Sequence, residues 1–179
     1  MRYVLSLIVG LWLVTLPVSE PTADLRFDKP LQNAVADLRP LTPTLPDELT
    51  GKVVVVSFFA SWCPPCTDEF RQLNRLRGAF SGDRVAIVAL NLFEDFLADP
   101  TGGRMKRFLA RTKPAFPVLV GKDDDALADR FGKVTRIPTV YVFDASGRLA
   151  FRFVHEKDAT KRHAGYDELT AAIKPLLKD

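Results

Sequence analysis

The hydrophobic and polar positions fall into short, well-separated patterns. Residues 51–60, "GKVVVVSFFA", are β-branched and apolar on both faces, the pattern of a central strand covered on two sides. In residues 64–80, Phe70, Leu73, Leu76 and Phe80 recur at helical spacing. Pro64 and Pro65 fit the first turn of that helix, where backbone N–H groups have no intrahelical partner. Asp68 and Glu69 lie near its positive end, Arg75 and Arg77 near its negative end. Residues 84–92 predict a second strand. Residues 102–112 predict a helix with Met105, Phe108 and Leu109 apolar, and residues 116–120 a short strand. Residues 123–132 read as a short helix between aspartate caps and a glycine stop. "PTVYVFD" and "RLAFRFVH" are two strands joined by "ASG", a hairpin signal. Residues 166–177 close the chain as a helix that Pro175 kinks or ends. The order β-α-β-α-β-α-β-β-α predicts an α/β fold, a mixed central sheet flanked by helices.

The rest of the pattern concerns organisation. Prolines 21, 30, 40, 43 and 46 mark residues 20–40 as a linker, followed by an irregular or hairpin lead-in. Residues 4–18 are an apolar run behind the single charge of Arg2. That length suits a signal-peptide core and is short of the roughly 18–20 residues of a full span. No A-x-A-like triplet follows, because "PVS" and "PTA" both begin with proline, and no cysteine follows to take a lipid. Residues 1–19 are therefore read as a signal peptide or an uncleaved N-terminal anchor. A buried core helix is the third reading, and nothing polar on the run would face water. Either targeted outcome places residues 25–179 outside the cytoplasm, where disulfides persist.

Length and charge set outer limits. A chain of 179 residues holds one domain with a sizeable core, hardly two. The formal charge of +3 is too weak a bias to argue for nucleic acid.

Both cysteines of the chain lie within "SWCPPCTDE". A pair at this spacing is a redox dithiol, half a metal site, or coincidence. A purely structural disulfide here would close a tiny loop and remove little unfolded-state entropy. Zinc would need further ligands. The histidines, His155 and His163, have seven residues between them rather than three to five. Redox chemistry is the strongest reading, with the Cys63–Cys66 disulfide itself as the active group and no metal or other cofactor. The predicted helix start puts Cys63 at its N-cap, where free N–H groups and the helix dipole favour a thiolate and pull its pKa below about 8.5. Cys66, one turn in, is expected to be more buried. Cys63 then attacks a client disulfide and Cys66 resolves the mixed disulfide. Pro64-Pro65 stiffens the turn. Trp62 is either core packing or a flat apolar cover beside the dithiol.

"GKVVVVSFFASWCPPCTDEF" followed by "RIPTVYVFDASGR" resembles the thioredoxin superfamily. The likeness is to its extracytoplasmic TlpA/ResA/CcmG-like thiol–disulfide oxidoreductases, over roughly residues 41–177. "LPDELTGKVVVV", the "FPVL" of an inserted α/β segment, and Glu69 three residues after Cys66 match that group further. The resemblance implies a thioredoxin fold over residues 41–179. It makes Pro138 a cis-proline opposite the dithiol, and it pairs the Ile137 backbone with an extended client peptide. It gives Glu69 a proton relay to Cys66, against the plainer reading of a solvated carboxylate. Trp62 and Pro64 would border the client. It also implies reduction of client protein disulfides, with apocytochrome c among the clients, and a membrane electron donor of the DsbD/CcdA type. Two positions depart from the pattern. Ser57 stands where cytoplasmic thioredoxins carry a buried aspartate, so proton handling rests on Glu69 or water. Phe59 stands where tryptophan is frequent. The alternatives are a disulfide-donating oxidase or isomerase, a peroxide reductase (whose P-x-x-x-T-x-x-C context is missing) and a non-enzymatic binding module, which needs no paired thiols.

Overall fold

A computed structural model describes residues 25–42 and 49–177. The apolar run, its cleavage region and the first half of the "LPDELTGK" lead-in lie outside the described residues. The architecture is built on β2 (Val53–Phe59), in which every residue is buried. It pairs in parallel with β3 (Val85–Asn91) and antiparallel with β5 (Thr139–Phe143). β3 continues in parallel to β4 (Val118–Val120), and β5 turns back into β6 (Leu149–Val154). A two-residue β1 (Arg39–Pro40) closes the far edge against β4, giving the order β1-β4-β3-β2-β5-β6.

Helices cover both faces, which is why β2 and β3 read as near-continuous apolar runs, interrupted at the buried Ser57 and Asn91. Val53, Val55 and Phe59 point toward one layer, formed by α2 (Pro64–Ala79), α3 (Gly103–Thr112) and α5 (Tyr166–Ile173). Phe70, Leu73 and Leu76 of α2, Phe108 of α3, and Leu169 and Ile173 of α5 fill it. Val54, Val56 and Phe58 point to the other layer, formed by α1 (Lys29–Ala36) and α4 (Asp124–Arg130). Each fully buried Phe or Leu stabilises the fold by roughly 1.5–3 kcal/mol relative to exposure. From β2 onward the elements follow the predicted order. After Ile173 the chain tightens into a 3-10 turn over Lys174–Leu177, where Pro175 has no N–H to continue the helix.

Ahead of β2 the structure differs from the linker expected over residues 20–40. Its described part is folded onto the sheet. Asp28 caps α1 by accepting the Leu31 N–H at 3.1 Å, and Pro30 falls in the first turn, where it is tolerated. Leu31 and Val35, one turn apart, are buried beside Phe27, whose ring stacks on Phe143 at 5.3 Å. The Phe27 N–H also donates to the Gly147 carbonyl at 2.8 Å. Gly147 is needed there twice over: its φ is +79°, and a Cβ would sit 2.7 Å from the Phe27 carbonyl oxygen. Among the described residues no helix is long and apolar enough to cross a membrane.

Candidate active site

The site forms where β2 runs out. The chain turns through Ser61 and Trp62, and Cys63 takes the extended conformation of an N-cap (φ −85°, ψ 110°). Pro64 and Pro65 have no N–H, so the first amide the helix offers is that of Cys66. It donates to Cys63 Sγ at 3.3 Å. The two sulfurs are bonded at 2.14 Å, with the Cα atoms 5.3 Å apart. Cys66 is fully buried, and Cys63 keeps 4 % exposure at the floor of a groove of about 740 Å³. The sequence predicted this inequality, but Cys63 is more covered than a freely exposed nucleophile.

Glu69 lies one turn beyond Cys66 and is fully buried. Ser57 Oγ donates to its Oε1 at 2.6 Å, and the Ala164 N–H reaches Oε2 at 3.5 Å. Burial pushes the Glu69 carboxyl up to about 8, and the two hydrogen bonds offset only part of that. It is therefore not a solvated carboxylate at a helix end. The residue that departs from the thioredoxin pattern, Ser57, is its hydrogen-bond partner.

Trp62 serves both roles considered for it. It is half-buried against the core, its Nε1–H donates to the Phe93 carbonyl at 2.7 Å, and it lines the groove. Pro64 is exposed beside it, and Ile137 forms part of the facing wall. The Ile137–Pro138 bond is cis. The buried Pro138 accepts the His155 N–H on its carbonyl at 3.0 Å.

The turn after β3 also belongs to the site, which was not expected from the sequence. Phe96 there is 75 % exposed, with its ring 5.1 Å from that of Trp62. Glu94 fixes this turn to the dithiol turn. Its carboxylate accepts the Ser61 N–H at 2.9 Å, the Asn91 side-chain amide at 2.9 Å, and the Ser61 hydroxyl. From the other side the Phe93 N–H, at a positive φ of 60°, donates to Asp124 Oδ2 at 2.6 Å. A signal was available: "NLFEDF" follows a parallel strand, and open α/β sheets bind ligands beyond the carboxyl ends of their strands. Among the described residues no group of three or more His, Cys, Asp or Glu side chains could hold a metal ion.

A model of the Redoxin family matches residues 28–169. The chain is 29 % identical over 128 residues to the thiol-disulfide oxidoreductase ResA of Halalkalibacterium halodurans, covering 72 % of this chain and 66 % of that one. It is 30 % identical over 112 residues to the thioredoxin-like protein YneN of Bacillus subtilis, covering 63 % and 61 %. The chain thus spans just under two thirds of the length of these curated relatives. A solved structure from Chlorobium tepidum, provisionally named thiol:disulfide interchange protein DsbE, superposes with a TM-score of 0.56 at 26 % identity. That match covers 80 % of this chain and 95 % of the other. The family match begins at residue 28, ahead of α1, and runs through all six strands into α5. The chain belongs to the Redoxin family, with a thioredoxin-like fold and the Cys63–Cys66 pair as its disulfide redox centre.

Proposed function

We propose that this protein is a thiol–disulfide oxidoreductase that reduces disulfides of client proteins outside the cytoplasm. The observation that carries this reading is the position of Cys63. It caps a helix N-terminus, is bonded to the buried Cys66, and faces a groove able to take an extended polypeptide. In the dithiol form the Cys66 amide and the helix dipole favour a Cys63 thiolate. That thiolate attacks one sulfur of a client disulfide. A Cys63–client bond forms, and the other client sulfur leaves as a thiolate. Cys66 then gives up its proton and attacks Cys63 Sγ, closing the intramolecular disulfide and releasing the second client thiolate. Two electrons pass to the client, whose two sulfurs end protonated. Glu69, one turn from Cys66 and buried with it, is the nearby group suited to hold the Cys66 proton. Its raised pKa in the disulfide form means that it keeps a proton at neutral pH.

A dithiol donor must then return two electrons to the protein. The resemblance points to a membrane donor of the DsbD/CcdA type and to apocytochrome c among the clients. The apolar run at residues 4–18 supports a site of action outside the cytoplasm, as an export signal or short anchor. The test is stoichiometric. Reduced protein mixed with a disulfide peptide is expected to yield one peptide dithiol per Cys63–Cys66 disulfide formed, and Cys63→Ser to yield none. A reduced protein that leaves the peptide intact, while the oxidised protein oxidises a peptide dithiol, would reverse the assigned direction.

A further inference from the structure

The groove beside Cys63 has two unlike walls. On one side Phe96 stands 75 % exposed against the ring of Trp62, with Phe93 behind it. An aromatic left mostly open to water keeps apolar surface that a partner could bury. Because Glu94 holds the turn through three hydrogen bonds to Ser61 and Asn91, Phe96 is presented on a fixed backbone. On the other side the groove is lined by Lys157, Arg162 and His155. Lys157 and Arg162 are exposed and make no ion pair among the described residues. Arg136, also on the groove, pairs with Glu156 at 3.0 Å across a solvent-exposed contact and adds a further cation to this flank. The acid on the groove, Asp95, belongs to the Phe96 wall. The cavity is therefore apolar and weakly acidic on one flank and cationic on the other.

Resting on the oxidoreductase reading above, the geometry points to a client segment of defined chemistry. It is an extended polypeptide that places a large apolar or aromatic residue on Phe96 and Trp62 and an aspartate or glutamate beside its disulfide, toward Lys157 and Arg162. Charge complementarity across a rim acts mainly on encounter rate, is screened by salt and favours one partner over another more than it tightens binding. The aromatic contact supplies the anchor, and the cations select among anchored clients.

Three peptides sharing one C-x-x-C disulfide and one neighbouring phenylalanine, with flanking Glu-Glu, Ser-Ser or Lys-Lys, test this on the reduced full chain. A small uncharged disulfide serves as reference. The expected order of kcat/KM is Glu above Ser above Lys, with about a tenfold spread at low ionic strength that closes near 0.5 M salt. Each rate is divided by that on the reference disulfide. On this scale the Lys157→Glu/Arg162→Glu double variant is expected to invert the order. Phe96→Ala is expected to lower all three peptides several-fold without changing their order. Equal rates, a preference for the lysine peptide, or a spread indifferent to salt would overturn the assignment. The salt series on the unmodified protein keeps the test decisive whatever the variants do. A wild-type protein inert even toward the reference disulfide would refute the oxidoreductase reading instead, and this proposal with it. Sedimentation of the same samples reports the remaining occupant: a dimer dissolved by Phe96→Ala would assign the groove to a second copy and overturn the client.

Discussion

Replacing Glu69 by glutamine keeps the shape of a fully buried side chain and its hydrogen bond from Ser57, and removes its ability to ionise. In the disulfide form neither cysteine titrates, so the comparison isolates this carboxyl. It holds its proton to about pH 8 in the folded chain, against an ordinary value of 4.5. Between those values the folded state binds more protons than the unfolded state, so stability must fall as pH rises. The contribution is fully present below 4.5, declines above it, and is gone once pH passes about 8. At roughly 1.36 kcal/mol per pH unit, the loss over that window is roughly 5 kcal/mol. The glutamine variant lacks this slope. Urea unfolding of both oxidised proteins, followed by tryptophan fluorescence from pH 4.5 to 9, measures it directly. The difference between wild type and Glu69→Gln is expected to move by several kcal/mol in favour of the variant as pH rises. Parallel stability curves, or a wild type that gains on the variant at high pH, would refute the reasoning. The carboxyl would then be reached by water or by a cation, and its burial would not govern its proton.

Other outcomes follow from the same geometry. In the reduced single-cysteine variants, Cys63 should alkylate with iodoacetamide at pH 7 at least about tenfold faster than Cys66, because it alone lines the groove; equal rates would undo the division of roles. Cys66→Ala should leave Cys63 joined to its client, and mass spectrometry of the purified adduct identifies that client; capture of apocytochrome c or a protein that handles it would support cytochrome maturation. Glu69→Gln should flatten the pH profile of client reduction with the fold intact, and an unchanged profile would remove Glu69 from the proton path. Leu31→Ala should lower unfolding stability by about 2–3 kcal/mol, as a core truncation does, whereas a change near zero would mean that α1 packs loosely.

Much of this was legible in the sequence because the signals were local. The run 53–59 carried the β-branched, doubly apolar pattern of a covered strand, and it is one. The pair of prolines after Cys63 set the start of α2, and the spacing of Phe70, Leu73 and Leu76 set its buried face. What was not legible depended on distant partners or on misleading punctuation. The prolines at 30 and 40 suggested a linker, yet Pro30 sits in the first turn of α1 and Pro40 in an edge strand, two places that tolerate proline. The Asp28 cap with Leu31 and Val35 one turn apart was the overlooked counter-signal. The burial of Glu69 depends on packing against Ser57 on β2 and Ala164 ahead of α5, and Ala164, 95 residues away, falls in no local window around it. The place of Phe96 at the site was not legible because the brace of its turn, Glu94 to Ser61, spans 33 residues.

The Glu94 brace has a consequence for how such a protein can diversify. The carboxylate fixes the backbone of its turn from inside, so the next three side chains, Asp95, Phe96 and Leu97, are all exposed and carry none of the turn's own hydrogen-bonding burden. The hydrogen bonds that hold the turn and the side chains it exposes are thereby carried by different residues. Exchanging that triplet changes the surface presented beside Trp62, while the dithiol turn keeps its hold on Glu94. On the client reading proposed above, three codons suffice to retarget the molecule without passing through a form that has lost its reactive centre.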